Sequence, residues 1–416
     1  MSSPEFKSIS HTLLTQGIHA CGVRLELATT GGGSLAISAL LTTPGASRSV
    51  VEAVVPYSAA ALGAYLGSLP EQFCSEATAR RMAMAAYQRA RSYDATDAES
   101  AGAADLLKAS SNLAGIGCTC SLVSDRPKRG AHRIHCAAQT SALTATASLD
   151  LIKGARSRLE EEEVAAAMLL NVAALAAGLA ERVPLRLRPG EQVEEHCVTA
   201  PELWRQLFTG ARRIAPASGE EQRGPDATLG ASQRRVIFPG AFHPLHAGHL
   251  EMAQIAASRL KCPIEWEISI ANVDKPPIDY REMELRSAQF KGEEFDCGQL
   301  PKDAKLWFTW APTFAEKSEL FPHATFLVGA DTIARIAEPR YYGDDMGARD
   351  TAIAAIAEHG GRFLVFGRAA EGAFQTIDAL DLPPALRAIC DEVPADAFRH
   401  DISSTDLRRH AIDKDL

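Results

Sequence analysis

Gly240-Ala-Phe-His-Pro-Leu-His-Ala-Gly-His249 links an apolar run, Arg235-Val-Ile-Phe238, to an amphipathic one, Gly248 to Leu260. Branched and aromatic residues in so short a run predict a buried strand, and apolar positions recurring every three to four residues predict a helix. The stretch between them is therefore a loop that leaves a strand and enters a helix. It holds the pattern H-x-G-H at the helix start. His246 and His249, three residues apart, share one face of the first turn, where backbone N–H groups have no partner within the helix and point at any bound anion. Gly240 and Gly248 let the backbone approach a nucleotide closely, and Pro244 stiffens the entry to the helix.

Outward from this loop, strand-like runs recur at Ile264 to Ile270, Leu306 to Trp310, Thr325 to Val328 and Arg362 to Phe366, with helix-like patterns such as Arg281 to Phe290 between several of them. Strands alternating with helices predict an α/β fold with a mostly parallel sheet covered on both faces, and in such folds ligands bind beyond the carboxyl ends of the strands. Near the C-terminus, Asp401-Ile-Ser-Ser-Thr-Asp-Leu-Arg408 reads as a helix start capped by Ser403 or Ser404. Its N–H groups, its hydroxyls and Arg408 form a second anion site, suited to the outer phosphates of a triphosphate.

These two motifs, in this order, resemble the HxGH nucleotidyltransferase superfamily, whose members share a strand, a G-x-F-x-P-x-H-x-G-H loop and a late S-S-T-x-x-R segment. The resemblance covers residues 234 to 410. Within the superfamily the chain is most similar to nicotinamide and nicotinic acid mononucleotide adenylyltransferases, because Val328-Gly329-Ala330-Asp331 matches their G-x-D segment and Ile402-Ser403-Ser404-Thr405 their I-S-S-T. It implies a Rossmann-like domain with ATP as donor and Mg²⁺ carried by the phosphates, not by a protein ligand set. It also implies catalytic roles for His246, His249 and Arg408, and nucleotide contacts from Gly240, Ala241, Phe242, Gly248, Gly329, Asp331, Arg368, Ser403, Ser404 and Thr405. Asp331 would lie near the ribose and Arg368 near phosphate. His243 departs from the family, standing where many members carry Asp or Asn. Lys275, in Asn272-Val-Asp-Lys-Pro-Pro277, is a candidate phosphate contact, or a solvated charge on a rigid turn. The implied reaction moves AMP from ATP to a pyridine mononucleotide with release of pyrophosphate. The alternatives are cytidylyl or adenylyl transfer to another phosphorylated small molecule, and a non-catalytic pyridine-nucleotide sensor.

The N-terminal half carries Thr30-Gly31-Gly32-Gly33, Thr43-Pro44-Gly45-Ala46-Ser47, Val54-Val-Pro-Tyr57-Ser58, and Ser75-Glu76 leading into a helix at Ala77 to Ala90. In this order the pieces resemble the CinA C-terminal domain, the nicotinamide mononucleotide deamidase fold, over roughly residues 8 to 182. That family carries a nucleophilic Ser in E-S-C-T-G-G and a Lys soon after the Y-S pair. Alignment puts Ala28 at the Ser position and Ala61 at the Lys position. Neither can take part in acyl transfer. The resemblance therefore implies a deamidase-like domain that has lost catalysis, left to bind nucleotide or to serve as a dimerisation scaffold. Cys118 and Cys120 read as ordinary buried thiols. His132 and His135, if on a strand, point to opposite faces. Arg126, Lys128, Arg129 and Arg133 read as a solvated loop.

Length and composition frame these readings. A chain of 416 residues predicts two cores, and 43 basic against 52 acidic side chains, a net charge of −9, argue against nucleic-acid or anionic-membrane partners. Nine scattered cysteines and a start without a basic, then apolar, leader predict a reducing cytoplasm. The apolar stretch Val164 to Ala180 is too short to span a bilayer and predicts a buried helix. The expected plan is a CinA-like domain over 1–186, which would carry any self-association, a Pro/Gly-rich linker over 187–232, and the nucleotidyltransferase domain over 233–416. The partners would be ATP and a phosphorylated small-molecule acceptor.

Overall fold

A computed structural model describes residues 7–99, 112–126, 128–221, 234–273, 275–291, 304–370, 373–394 and 396–398. They form two compact α/β units, the first comprising 1–200 with 274–282 and the second 201–273 with 283–416.

The first unit is built on a six-stranded mixed sheet. Its strands are β1 (Arg24–Thr30), β2 (Val50–Val54), β3 (Leu113–Ser121), β4 (His132–Thr140), β5 (Leu143–Leu151) and β6 (Val193–Thr199), in the order β2-β1-β3-β4-β5-β6. β1 runs parallel to both its neighbours, and the remaining pairs are antiparallel. One face packs on α1 (His11–Ala20), α2 (Ser34–Thr42) and α5 (Arg158–Ala176), through Leu25, Leu27, Ile116, Leu40 and Leu169 among others. The opposite face packs on α3 (Ala59–Leu66) and α4 (Glu76–Glu99). α4 lies unusually close to β3. A Cβ on Gly115 would stand 2.1 Å from the Ala83 carbonyl oxygen, and one on Gly117 2.3 Å from that of Ala79. Only hydrogen fits between a strand and a helix backbone at that spacing, so the two glycines set the layer distance.

α5 is the expected buried apolar helix. Ser157 and Glu160 close a reciprocal capping box at its start. No helix among the described residues is long and apolar enough to cross a membrane.

The segment 187–232, expected to be a linker, is structured through residue 221. β6 closes one edge of the first sheet, and α6 (Glu202–Thr209) and β7 (Ile214–Pro216) open the second unit. Its prolines and glycines punctuate short elements. β6 escapes a periodicity reading because, as an edge strand, it leaves Glu194, Glu195 and His196 exposed in succession.

The second unit is a seven-stranded sheet made of β7, β8 (Arg235–Pro239), β9 (Ile264–Ser269), β10 (Lys305–Thr309), β11 (Ala324–Gly329), β12 (Arg362–Phe366) and β13 (Cys390–Val393). The order is β7-β10-β9-β8-β11-β12-β13, all parallel except β7 against β10. Counting from β8, the parallel strands lie 3-2-1-4-5-6, the doubly wound nucleotide-binding order. The strands alternate with α7 (Ala247–Leu260), α8 (Tyr280–Ala288), α9 (Phe314–Leu320), α10 (Ala330–Ala337) and α11 (Met346–Glu358). Ile237, Phe326, Val328, Phe363 and Val365 bury one face against Ile333, Ile336, Ile353 and Ile356 of α10 and α11. The strand order reverses between β8 and β11, which run parallel. Beyond their carboxyl ends lies the crevice in which such sheets hold ligands.

Candidate functional site

The H-x-G-H loop emerges at that crevice. β8 ends at Pro239, Gly240 donates its N–H to the Glu267 carbonyl at 2.9 Å, and α7 begins at Ala247 with His246 as its N-cap residue in extended conformation. The two imidazoles stack, with ring centroids 3.8 Å apart and planes inclined by 29°. The His246 backbone N–H donates to His249 Nδ1 at 3.2 Å. With Nδ1 an acceptor, neutral His249 carries its proton on Nε2. Gly248 is buried in the same first turn.

What holds the loop is an aromatic platform under it. Phe242 has a left-handed backbone, φ 44°, and a side chain only 1% exposed. Its ring packs edge-on against Phe238, Trp266, Phe290 and His249, with centroids 5.1–5.6 Å away. A Cβ on Gly240 would lie 2.5 Å from that ring, which explains the glycine. Phe242, expected to touch nucleotide, thus points its ring into the protein, and its part is to anchor the loop. Ala241 is exposed.

The last turn of α8 and the residue just after it complete the support. Gln289 donates from Nε2 to the Phe242 carbonyl at 3.0 Å and accepts the Leu245 N–H at 2.8 Å, and Arg286 donates to the Ala241 carbonyl at 3.1 Å. The periodicity at 281–290 predicts a helix but carries no sign that its end grips the loop. Also unforeseen is a buried ion pair beside it. Lys317 Nζ donates to Glu267 at 2.7 and 2.8 Å, and Thr309 donates to the same carboxylate.

At the end of the adjacent strand β11, Gly329 caps α10 and Asp331 sits in its first turn, where the helix dipole favours a carboxylate. β8 and β11 pair directly, Ile237 opposite Phe326, so the H-x-G-H and G-x-D segments leave neighbouring strands at the same edge. Arg368 follows β12 on a short strand, Arg368–Ala370, and its side chain lies outside the described residues. So do Asp401, Ile402, Ser403, Ser404, Thr405 and Arg408. Lys275 is exposed and belongs with the 274–282 segment of the first unit.

In the first unit, Ala28 is fully buried on β1 and packs with Leu62, Leu66, Met82 and Ala85. Apolar side chains therefore surround the position that the resemblance aligns with a nucleophile. Ala61 is exposed in the first turn of α3. Two residues before Ala28, on the same face of β1, fully buried Glu26 accepts from Tyr65 Oη at 3.1 Å and from Arg89 Nε at 3.0 Å, while Arg89 also holds Glu52. Burial, and then the Glu52 carboxylate, push the Glu26 carboxyl up to about 8.

The weaker candidates resolve into structure. Cys118 and Cys120 are buried, their sulfurs 3.5 Å apart, with Cys136 3.6 Å from Cys118. His132 pairs with buried Glu161 at 2.7 Å, whereas His135 meets Ser148 at 2.8 Å on the other face of β4, and burial lowers it to about 4.

Comparison with known proteins finds one distant sequence relative, a probable nicotinate-nucleotide adenylyltransferase from Desulfotalea psychrophila, 25% identical over 125 residues. The match takes in 26% of this chain and spans 56% of that relative's length. No family model matches the chain. Solved structures similar to it include a competence-damaged protein (CinA) superfamily protein from Escherichia coli, 15% identical over 41% of this chain and 95% of that one, with a TM-score of 0.30. Another is a competence/damage inducible protein from Agrobacterium tumefaciens, 18% identical over 42% and 96%, with a TM-score of 0.28. The sequence relationship, though distant, supports a nucleotidyltransferase family for this two-domain α/β chain.

Proposed function

We propose that the second unit transfers AMP from ATP to nicotinic acid or nicotinamide mononucleotide, giving the dinucleotide and pyrophosphate. The observation that carries this reading is the placement of H-x-G-H at a helix N-terminus directly after the first strand of a 3-2-1-4-5-6 sheet, with Gly329 and Asp331 ending the adjacent fourth strand. The distant adenylyltransferase relative supports the same chemistry.

The mechanism follows from charge. A phosphomonoester loses its second proton near pH 6, so the acceptor phosphate is already a nucleophile at neutral pH. One of its oxygens bonds to the α-phosphorus of ATP as the bond from that phosphorus to the bridging oxygen of the leaving pyrophosphate breaks. Negative charge then spreads over the α-phosphoryl oxygens and onto the leaving group. His249 Nε2–H, His246 and the first N–H groups of α7 are the donors for that charge, with Arg408 as a cation for the outer phosphates. Imidazoles and backbone amides, with Asp331 as the carboxylate nearby, are a donor set that fits Mg²⁺ carried in on the triphosphate. The ion neutralises phosphate charge. No side chain forms a covalent intermediate.

The first unit, on this reading, is a deamidase-like domain without its nucleophile, since Ala28 lies in an apolar cluster.

Pyrophosphate release from ATP and Mg²⁺, with each mononucleotide in turn, tests the proposal. Release that requires the acceptor and falls at least a hundredfold in His249→Ala is expected, the scale of losing one oriented charge-stabilising donor. Wild-type protein that releases no pyrophosphate with either acceptor would overturn it.

A further inference from the structure

The H-x-G-H loop is closed by a side chain, and every group involved belongs to the second unit. Gln289 bridges the loop on either side of His243-Pro244. Its Nε2 donates to the Phe242 carbonyl at 3.0 Å, and its Oε1 accepts the Leu245 N–H at 2.8 Å. A carboxamide donates from one end and accepts at the other, as a peptide group does, so Gln289 ties residue 242 to residue 245 as a neighbouring backbone would. Gln289 is itself fixed. It stands in a turn where the Phe290 N–H donates to the Ser287 carbonyl and the Lys291 N–H to that of Ala288, each at 3.1 Å. The Phe290 ring packs on Trp266 at 5.3 Å and on Phe242 at 5.6 Å, in the platform under the loop. One residue beyond the Leu245 N–H is the His246 N–H, the donor to His249 Nδ1 at 3.2 Å. The direction of that N–H is set by the planar peptide joining Leu245 to His246, and Gln289 holds the residue from which this plane starts. The bond in turn decides which nitrogen of His249 carries the proton, because only a bare ring nitrogen accepts a backbone N–H.

We propose that Gln289 is a positioning residue for the H-x-G-H site: by fixing Leu245 it aims the His246 N–H at His249 Nδ1, and so holds the His249 ring in one orientation with its proton on Nε2. The use of that proton in catalysis rests on the adenylyl-transfer reading; the orientation and tautomer of the ring do not. A ring released from His246 turns more freely and shares its proton between both nitrogens, so fewer molecules present the Nε2–H donor where the phosphoryl charge develops.

Nitrogen NMR of the His249 ring in the full chain tests this without requiring turnover, at about pH 8, above the ordinary imidazole range, with the signals assigned by their loss in His249→Ala. In the wild type, a bare Nδ1 and a protonated Nε2 are expected to give well-separated shifts. Gln289→Met keeps the side-chain length and neither bond. In it the two shifts are expected to move towards each other, and amide exchange at Leu245 and His246 to accelerate about tenfold, the scale of losing one such bond, with wild-type protection kept in β8 and β11. Gln289→Glu still accepts from Leu245 but cannot donate to Phe242, and should recover part of both effects. Where transfer is measurable, kcat is expected to fall about tenfold or more, by a larger factor than the acceptor KM rises. A wild-type ring protonated on Nδ1 overturns the proposal. So do wild-type ring shifts in Gln289→Met, whether or not the loop exchanges faster, since Gln289 then does nothing for the ring. If Gln289→Met loses protection throughout β8 and β11, Gln289→Glu becomes the deciding variant and is read by the same outcomes. A wild type without transferase activity refutes the proposed reaction but leaves the ring shifts to judge the positioning role.

Discussion

Placing a hydroxyl at position 28 is the sharpest test of the proposal that the first unit carries no nucleophile. Ala28 is fully buried, and its backbone is engaged on both sides, by β2 at Val54 and by β3 at Gly117. The side chain faces Leu62, Leu66, Met82 and Ala85, none of which offers a side-chain oxygen or nitrogen. A serine hydroxyl there leaves water for apolar side chains, which costs about 1–3 kcal/mol where no backbone carbonyl accepts from it. For a unit of this size that corresponds to a fall in Tm of roughly 2–12 °C. Ala28→Ser, alone and with Ala61→Lys, is therefore expected to melt lower than wild type and to release no ammonia from nicotinamide mononucleotide. Scanning calorimetry and an ammonia assay on the same samples measure both. Unchanged stability would mean that the site still holds water or a polar partner, and ammonia release would mean that the pocket survived; either result refutes the reasoning.

The buried carboxyl beside it gives a pH signature. Glu26 titrates near 8 in the fold against 4.5 ordinarily, so its proton is held more tightly when folded. The stabilisation it contributes is complete below pH 4.5 and is lost as pH rises through 8. Glu26→Gln should match wild type near pH 4 and exceed it by up to a few kcal/mol at pH 9, at about 1.4 kcal/mol per pKa unit; parallel urea-unfolding profiles at pH 4, 7 and 9 would exclude this. Gly117→Ala drives a methyl against two backbone atoms, 2.3 Å from the Ala79 oxygen and 2.5 Å from the Ala83 nitrogen. It should cost about 1–3 kcal/mol or more, whereas Gly130→Ala, with nothing within 4 Å, should melt like wild type. Lys317→Met strands the Glu267 carboxylate in the core of the second unit. A loss of about 3–5 kcal/mol is expected, largely restored by adding Glu267→Gln, and a single variant as stable as wild type would show that the pair is not buried in solution.

The second unit was largely legible because its signals are local. Arg362 to Phe366 is a strand with the expected bounds. The loop at 240–249 was legible because a strand, a glycine and a helix cap are each visible within ten residues. What escaped depends on partners far along the chain. Nothing in Gln289 indicates that it will bond both Phe242 and Leu245, and Glu267 and Lys317 look like surface charges until the fold brings them together 50 residues apart. β6 escaped for the opposite reason, since an edge strand with both faces wet has no alternation to read.

α4 is held in the first unit at several points along its length. Ala79 and Ala83 close on Gly117 and Gly115, so the helix cannot shift without opening the sheet. Arg89, two and a half turns on from Arg80, ties the same helix to Glu26 and Glu52 on β1 and β2. Arg80 itself holds Asp279 and Glu282, residues that the sequence places between the second and third parallel strands of the other unit's sheet. None of these contacts uses position 28 or 61. Ala28 packs on the same helix through Met82 and Ala85, whereas Ala61 is exposed, so a larger side chain at 28 would press on α4 and one at 61 would not.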